Sequence, residues 1–400
     1  MIEPIVIAPT FLRPTCAVGQ IERHFFPNLP IGFYSHIICA DEKLSLESEK
    51  HITHIVPEKK SFLKLDLLFR KFGLTDLVYS PDIMYYSWCG RAFKEASKLI
   101  EDGGIDYVHT INNPVSAHLV GWKLKMKYGI PWVAQFYDPW HNNPFRVYKS
   151  KKFEKKDAKR ESYVAKYADL IIFPNQELLD SWVALYGTMI ASKSCIIPFT
   201  TSIPTIKNGS NVRKYDVLTI SHIGTLSEER RPDVFFKAIR YLLEKHPEDR
   251  GRLKVSFVGH IPENDVKLIT QNHIDDVVNI IGRVPEEECY QYYESADVFL
   301  IVDINCDPNL FYPSKLLKYF CYKKPIVGLT QTDSVVAHEL NKTGNKAFNY
   351  QDYIGLAEYI HMAITDYHSV NNNDKEYYKR FLIGYTTSLY QNSVNQIISK

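Results

Sequence analysis

An α/β protein of two doubly wound domains is predicted by three features of the chain. Short β-branched runs alternate with amphipathic segments through the first half. The alternation lapses once, around Ile196–Arg213, where Ser202, Pro204, Asn208, Gly209, Ser210 and Asn211 cluster. It then restarts and continues through the second half. Strand–helix alternation predicts a parallel sheet covered on both faces, and a polar Gly/Pro/Asn stretch predicts a linker.

In the first half the expected strands are Pro4–Ala8, Tyr34–Ala40, Ile52–Val56, Tyr107–Thr110, Trp132–Phe136 and Leu170–Phe173. Helical patterns lie at Tyr86–Glu101, Pro114–Tyr128, Lys152–Tyr167 and Gln176–Tyr186. In the second half strands are expected at Val217–Ser221, Lys254–Val258, Val278–Ile281, Val298–Val302 and Pro325–Leu329. The helix Pro232–Lys245 carries an apolar stripe of Val234, Phe235, Ala238, Ile239, Leu242 and Leu243 at helical spacing. A terminal amphipathic segment covers about Asp374–Ser399. The division is therefore 1–200, a linker 201–213, 214–372, and a C-terminal helix in 373–400 that packs back toward the first domain. Two such Rossmann-like domains are expected to face a cleft, because ligands of open parallel sheets sit at the C-terminal strand ends.

Composition sets bounds on function. Charged residues make up 24% of the chain with a formal net charge of +2, so the bulk electrostatics do not favour nucleic acid, and the composition argues against disorder. The seven cysteines show no metal-ligand spacing, and an odd, scattered set suits a reducing compartment. The N-terminus runs straight into a strand and no apolar run is long enough to span a bilayer, so the expected location is cytoplasmic, with association to the inner membrane face as an option.

The segment FYPSKLLKYF, Phe311–Phe320, carries the most chemistry. Pro313 stands at the first position of a predicted short helix, where its missing N–H costs nothing. Ser314 and Lys315 follow, so free N–H groups, the helix dipole and a full positive charge converge on an anion seat. A second segment, Ser221–Pro232, ends a strand at Gly224 and enters a helix. Gly224 lets the backbone approach a ligand, and Arg230 or Arg231 can fork onto phosphate oxygens. Taken singly, Gly224 reads rather as a turn and the arginines as a solvated face. Together the two segments point to a diphosphate.

The second half resembles the retaining glycosyltransferases of the GT-B fold, in particular the bacterial family 4 group that builds surface polysaccharides. The residues that carry the resemblance are Gly224 with Arg230 six positions on, Phe257-Val258-Gly259, Ile281-Gly282-Arg283-Val284-Pro285, Tyr290–Leu300, and Pro313-Ser314-Lys315-Leu316 with Lys318-Tyr319 and Lys324-Pro325-Ile326. The resemblance implies that Arg230, Lys315, Ser314 and Gly224 hold a donor diphosphate, and that Gly282, Arg283, Val284 and the Lys318 position lie by the nucleobase and ribose. One departure stands out. The family's ribose-gripping glutamate directly before the Tyr319 position is Lys318 here, and Leu310 stands eight residues earlier. A lysine accepts no hydrogen bond from a ribose hydroxyl, so Asp307, Asn309 or another group takes that role, or the donor differs.

In the first half the run Gly129–Trp140 resembles the same group, which often has Arg-Asp-Pro-Trp at a strand end where this chain has Tyr137-Asp138-Pro139-Trp140. Asp138 is the candidate to orient an acceptor hydroxyl or steady charge on the sugar, against a plain Asx turn before Pro139. His109 is a second catalytic candidate. Gly19, His118 and Trp140 are candidates for the acceptor and sugar.

The expected activity is a metal-independent retaining transferase of the hexosyltransferase type. It takes no cofactor and uses a UDP- or GDP-sugar as substrate with a glycan or lipid-linked acceptor. The alternatives are a nucleotide-sugar 2-epimerase and a non-catalytic sugar-nucleotide-binding subunit. Two basic stretches, Lys149–Arg160 and the apolar-cationic run Phe62–Phe72, suit an anionic membrane surface, or else a solvated helix face and ordinary core.

Overall fold

The computed structural model describes residues 1–14, 16–40, 48–57, 68, 83–148, 150–202 and 216–399. The Phe62–Phe72 run apart from Leu68, together with Lys149 and nearly all of the expected linker, lies outside them. The chain divides into two compact units. Met1–Ser202 with Arg380–Lys400 form one, and Ile203–Lys379 form the other.

The first unit is built on a seven-stranded sheet: β1 (Pro4–Ile7), β2 (Ser35–Cys39), β3 (His51–Ile55), β4 (Tyr107–Ile111), β5 (Trp132–Gln135), β6 (Leu170–Phe173) and β7 (Ser194–Ile196), in the order β3-β2-β1-β4-β5-β6-β7. Every neighbouring pair is parallel. β1, β4, β5 and β6 are buried along their whole length. They are therefore read as continuous apolar runs rather than alternating ones. The second unit has a six-stranded sheet: β8 (Leu218–Ile223), β9 (Leu253–Val258), β10 (Val278–Gly282), β11 (Val298–Val302), β12 (Ile326–Leu329) and β13 (Lys346–Phe348), in the order β10-β9-β8-β11-β12-β13 and again all parallel. In each sheet the strand order reverses next to the first strand, between β1 and β4 and between β8 and β11. That reversal opens a crevice at the C-terminal strand ends where ligands of such folds bind.

The predicted helix stripe of the second half appears as Asp233–Lys245, and all six of its named apolar residues are buried. They join strands and the helix Tyr353–Thr365 in one core. Other boundaries move. The helix expected from Pro114 begins at Ala117, whose N–H bonds the Pro114 carbonyl at 3.2 Å. The terminal helix is shorter than the predicted segment and spans Ile383–Ile398, after a 3-10 turn at Tyr377–Phe381.

That terminal helix is tied into the first unit by Tyr390, which is fully buried. Its hydroxyl lies 2.8 Å from both the Tyr107 hydroxyl and Nδ1 of His109, and its ring stacks on His109 at 5.4 Å between centroids. Removing that hydroxyl strands two buried polar groups on β4, at a cost of about 1–3 kcal/mol. The variant Tyr390→Phe is accordingly expected to lower the stability of the first unit by that amount, read from its denaturant midpoint; an unchanged midpoint would show that the hydroxyl contributes nothing.

Candidate functional site

The C-terminal ends of β8, β9 and β10 close on three glycines with positive φ: Gly224 at +133°, Gly259 at +130° and Gly282 at +76°. They are stitched together by backbone bonds. The Gly224 N–H donates to Val258 O at 2.7 Å, and the Gly259 N–H donates to Gly282 O at 2.7 Å. The approach is close. A Cβ on Gly259 would stand 2.5 Å from the Gly224 carbonyl oxygen, and one on Gly224 would stand 2.9 Å from Nζ of Lys315. Only glycine fits both the dihedrals and the space.

Lys315 thus lies across the bare backbone of Gly224. The predicted convergence of Gly224 and Lys315 is real, and it is made by a side chain crossing from the helix Lys315–Cys321 to the β8 loop. The local order differs from the expectation for Pro313. Pro313 precedes the helix rather than opening it, Ser314 is the N-cap, and the Leu316 N–H bonds back to the Pro313 carbonyl at 3.0 Å. The Ser314 hydroxyl makes no capping bond, and the residue is exposed.

Nζ of Lys315 sits 3.0 Å from Nε2 of His222 and 3.5 Å from the Thr225 carbonyl oxygen. No carboxylate salt-bridges it among the described residues. Burial first, and the Arg230 guanidinium second, push the ammonium down to about 7, while Asp303 pulls it back. Arg230 is half-buried and likewise makes no side-chain hydrogen bond or ion pair among the described residues. Arg231, its alternative at the sequence level, is committed: its guanidinium pairs with the buried Asp265 at 3.0 Å. The helix that follows begins with an acid, Asp233, in its first turn. It offers less to an anion than its proline entry suggested.

Two groups here went unnoticed in the sequence. His222 is buried on β8, and its Nδ1 lies 3.0 Å from the Leu300 carbonyl oxygen. Its position two residues before Gly224 puts it on the same face of the strand, the one signal that could have found it. Asp303, directly after β11, is buried, and its Oδ2 accepts from Asn309 Nδ2 at 2.7 Å and from the Thr330 hydroxyl at 2.8 Å. Burial raises its carboxyl against those bonds.

The ribose question takes a definite form. Lys318 is clamped to Glu286 at 2.9 Å, and both side chains are exposed. Asn309 cannot stand in for the missing glutamate, because its amide is buried and donates to Asp303 and to the Ile304 carbonyl. Next to Gly282, Arg283 is exposed and Val284 half-buried, and neither backbone N–H has a hydrogen-bond partner among the described residues.

The profile of "Glycosyltransferase Family 4" matches residues 32–199, and that of "Glycosyl transferases group 1" matches residues 205–380. The chain belongs to the family 4-like glycosyltransferases of the GT-B fold.

A D-inositol 3-phosphate glycosyltransferase of Kribbella flavida is 23% identical over 154 residues, which span 35% of this chain and only 36% of that protein. Among solved structures, the sucrose-phosphate synthase of Thermosynechococcus elongatus superposes with a TM-score of 0.70 at 13% identity over 100% of both chains. An Anabaena protein in complex with UDP-glucose gives 0.68 at 14% identity, covering 99% of this chain and 100% of that one. A glycosyltransferase from Rickettsia africae gives 0.70 at 11% identity, covering 99% and 98%. At such identities the likeness is one of fold.

The first unit of this glycosyltransferase corrects several expectations. His109 and His118 are fully buried, and burial pushes each down to about 3, so both stay neutral and out of reach of a sugar. His109 serves Tyr390, and His118 Nδ1 lies 2.8 Å from the Thr110 hydroxyl. Trp140 is buried too, and its indole N–H donates to Asp157 at 3.1 Å. Gly19 is a packing position, since a Cβ there would stand 2.3 Å from the Thr10 carbonyl oxygen. His109, expected as a catalytic group, and His118 and Trp140, expected to face the acceptor or sugar, are thus part of the first unit's interior. Asp138 differs. It lies just past β5 and is half-exposed; its Oδ2 accepts from Asn113 Nδ2 at 2.8 Å, and Asn112 fixes the loop by donating to the Asp138 carbonyl at 2.9 Å.

The glycine ladder makes a testable demand on the second unit. Gly259→Ala must move the Gly224 loop or strain its own dihedrals, which costs roughly 1–3 kcal/mol. A lowered denaturant midpoint for the second unit is expected, and an unaltered midpoint would show that the ladder yields freely.

Proposed function

We propose that this glycosyltransferase takes its sugar from a nucleoside diphosphate donor, with retention at the anomeric carbon, and passes it to a glycan or lipid-linked acceptor of surface polysaccharide synthesis. The observation that supports this most is the pair Lys315 and Arg230. The Arg230 guanidinium adds to burial in depressing the Lys315 charge, neither cation is salt-bridged to a carboxylate among the described residues, and Lys315 lies against the glycine at the end of β8. A diphosphate relieves that repulsion and takes charge-assisted hydrogen bonds from both. Arg283 and Val284 offer backbone N–H groups to the base. Glu286, held by Lys318, brings to the rim the acceptor group that a lysine lacks and a ribose diol needs.

In this reading the leaving diphosphate is neutralised by Lys315 and Arg230, and no divalent ion is required. The sugar–phosphate bond breaks through an oxocarbenium-like state, the acceptor oxygen attacks the same face, and a donor phosphate oxygen takes its proton. Asp138 orients the acceptor hydroxyl or steadies the positive charge on the sugar. No helix among the described residues is long and apolar enough to cross a membrane. The exposed lysines 151, 152, 155, 156 and 159 of the helix Lys151–Tyr167 suit the anionic surface on which a lipid-linked acceptor would lie.

Calorimetric titration with UDP and GDP tests the donor assignment. Lys315→Ala and Arg230→Ala are each expected to weaken binding about tenfold or more; wild-type affinity in both would remove the diphosphate site. The pH dependence has a fixed sign. A bound anion favours the charged lysine, which is already protonated below about 7 and must take up a proton above it. Affinity should therefore be flat below that pH and fall by up to roughly tenfold per pH unit above it, with proton uptake visible in buffers of different ionisation enthalpy. At the acceptor side, Asp138→Ala is expected to lower transfer at least about a hundredfold while leaving nucleotide affinity within about twofold; full activity would return Asp138 to loop capping.

A further inference from the structure

We propose that His222 is a positioning residue for the donor diphosphate: it aims the Lys315 ammonium without cancelling its charge. This deepens the reading of the Lys315–Arg230 pair as the diphosphate seat and rests on it.

The geometry supports the role from both sides of the ring. Nδ1 lies 3.0 Å from the Leu300 carbonyl oxygen, which only accepts, so the ring proton belongs on Nδ1. That leaves the Nε2 lone pair facing Nζ of Lys315 at 3.0 Å. The ring itself is fixed by burial and lies against Phe257, centroids 5.8 Å apart. The Leu300 carbonyl is in turn within 3.4 Å of the Tyr319 hydroxyl, which also accepts the Ile223 N–H at 2.9 Å. Strands β8 and β11 and the helix Lys315–Cys321 therefore all fix the imidazole.

The chemical logic lies in which acceptor holds the lysine. An ammonium has three donors. One goes to His222, a weak one reaches the Thr225 carbonyl at 3.5 Å, and at least one is left for phosphate. A carboxylate in the place of His222 would hold the lysine as well, yet it would leave a neutral pair facing the donor. Neighbouring cations show that alternative, Arg231 on Asp265 and Lys318 on Glu286. The charged groups acting on His222 are Lys315 and Arg230, and both, with burial as the larger cause, hold it neutral, so it remains an acceptor. Asp303 acts on Lys315 and is engaged with Asn309 and Thr330.

Titration calorimetry with UDP and with inorganic pyrophosphate, across pH 6 to 9, distinguishes the possibilities on the full chain. His222→Phe is expected to lose about tenfold or more in affinity for both probes, and His222→Gln, which keeps an acceptor, to recover most of it. His222→Asp should bind both probes weakly and move the alkaline fall in affinity upward by about one pH unit or more, because a carboxylate raises the lysine. A purely structural histidine would move no pH limb. The proposal is overturned if His222→Gln and His222→Asp both keep the wild-type affinity and pH limb; these two soluble replacements decide the matter even if His222→Phe fails to fold. Failure of the parent reading looks different: wild type then binds neither probe, or binds both regardless of Lys315.

Discussion

Two positive charges that make no salt bridge among the described residues, at the end of a parallel sheet, are the constraint around which this end of the second unit is arranged. Lys315 and Arg230 repel each other, and Lys315 is also desolvated. Nearby cations escape such a cost by pairing, Arg231 with Asp265 and Lys318 with Glu286. The contrast sets Lys315 and Arg230 apart as the cations without a salt bridge here, which is the basis on which a diphosphate is proposed for them. A desolvated cation without a salt-bridging partner costs free energy, and neutral acceptors, the His222 ring and the Thr225 carbonyl, offset part of that cost at Lys315.

The sheet makes this possible through its backbone. At Gly224 and Gly259 the strand ends turn with dihedrals that other residues avoid, and they approach one another more closely than any Cβ permits. The lysine stem fills the space a side chain at 224 would have taken. The reversal of strand order between β8 and β11 brings the β8 loop beside the segment after β11, which leads into the helix carrying Lys315. Topology and glycine placement together bring the Lys315 side chain against the end of β8.

The first unit uses its polar side chains in the opposite way. His109, His118, Thr110, Tyr107 and Trp132 form hydrogen bonds to one another or to Tyr390 inside the fold. Such a network favours one arrangement of the core and ties the last helix of the chain to β4. Asp138 stands apart as a half-exposed carboxylate just past a strand end, with its loop held by Asn112 and Asn113. The contrast is between polar groups consumed by folding and a polar group held at the surface.

By itself the sequence determined the fold class and the family. Alternation of apolar runs is a local property, and so are the spacings that carry Gly224, Arg230, Gly282 and Pro313-Ser314-Lys315; both survive reading along the chain. It also determined that Lys318 could not act as the family's glutamate does. Tertiary structure alone decided which groups are spent. His109, His118, Trp140 and Asn309 are polar in sequence, but folding buries each of them and pairs each with another side chain, Tyr390, Thr110, Asp157 and Asp303 in turn. It alone separated Arg230 from Arg231, since the deciding acid, Asp265, is 34 residues from Arg231. It alone found His222, whose two partners, Leu300 and Lys315, are 78 and 93 residues away. The physical reason is the same in each case: a hydrogen bond or a desolvation cost depends on what folding brings within about 3 Å, and sequence order does not record that distance.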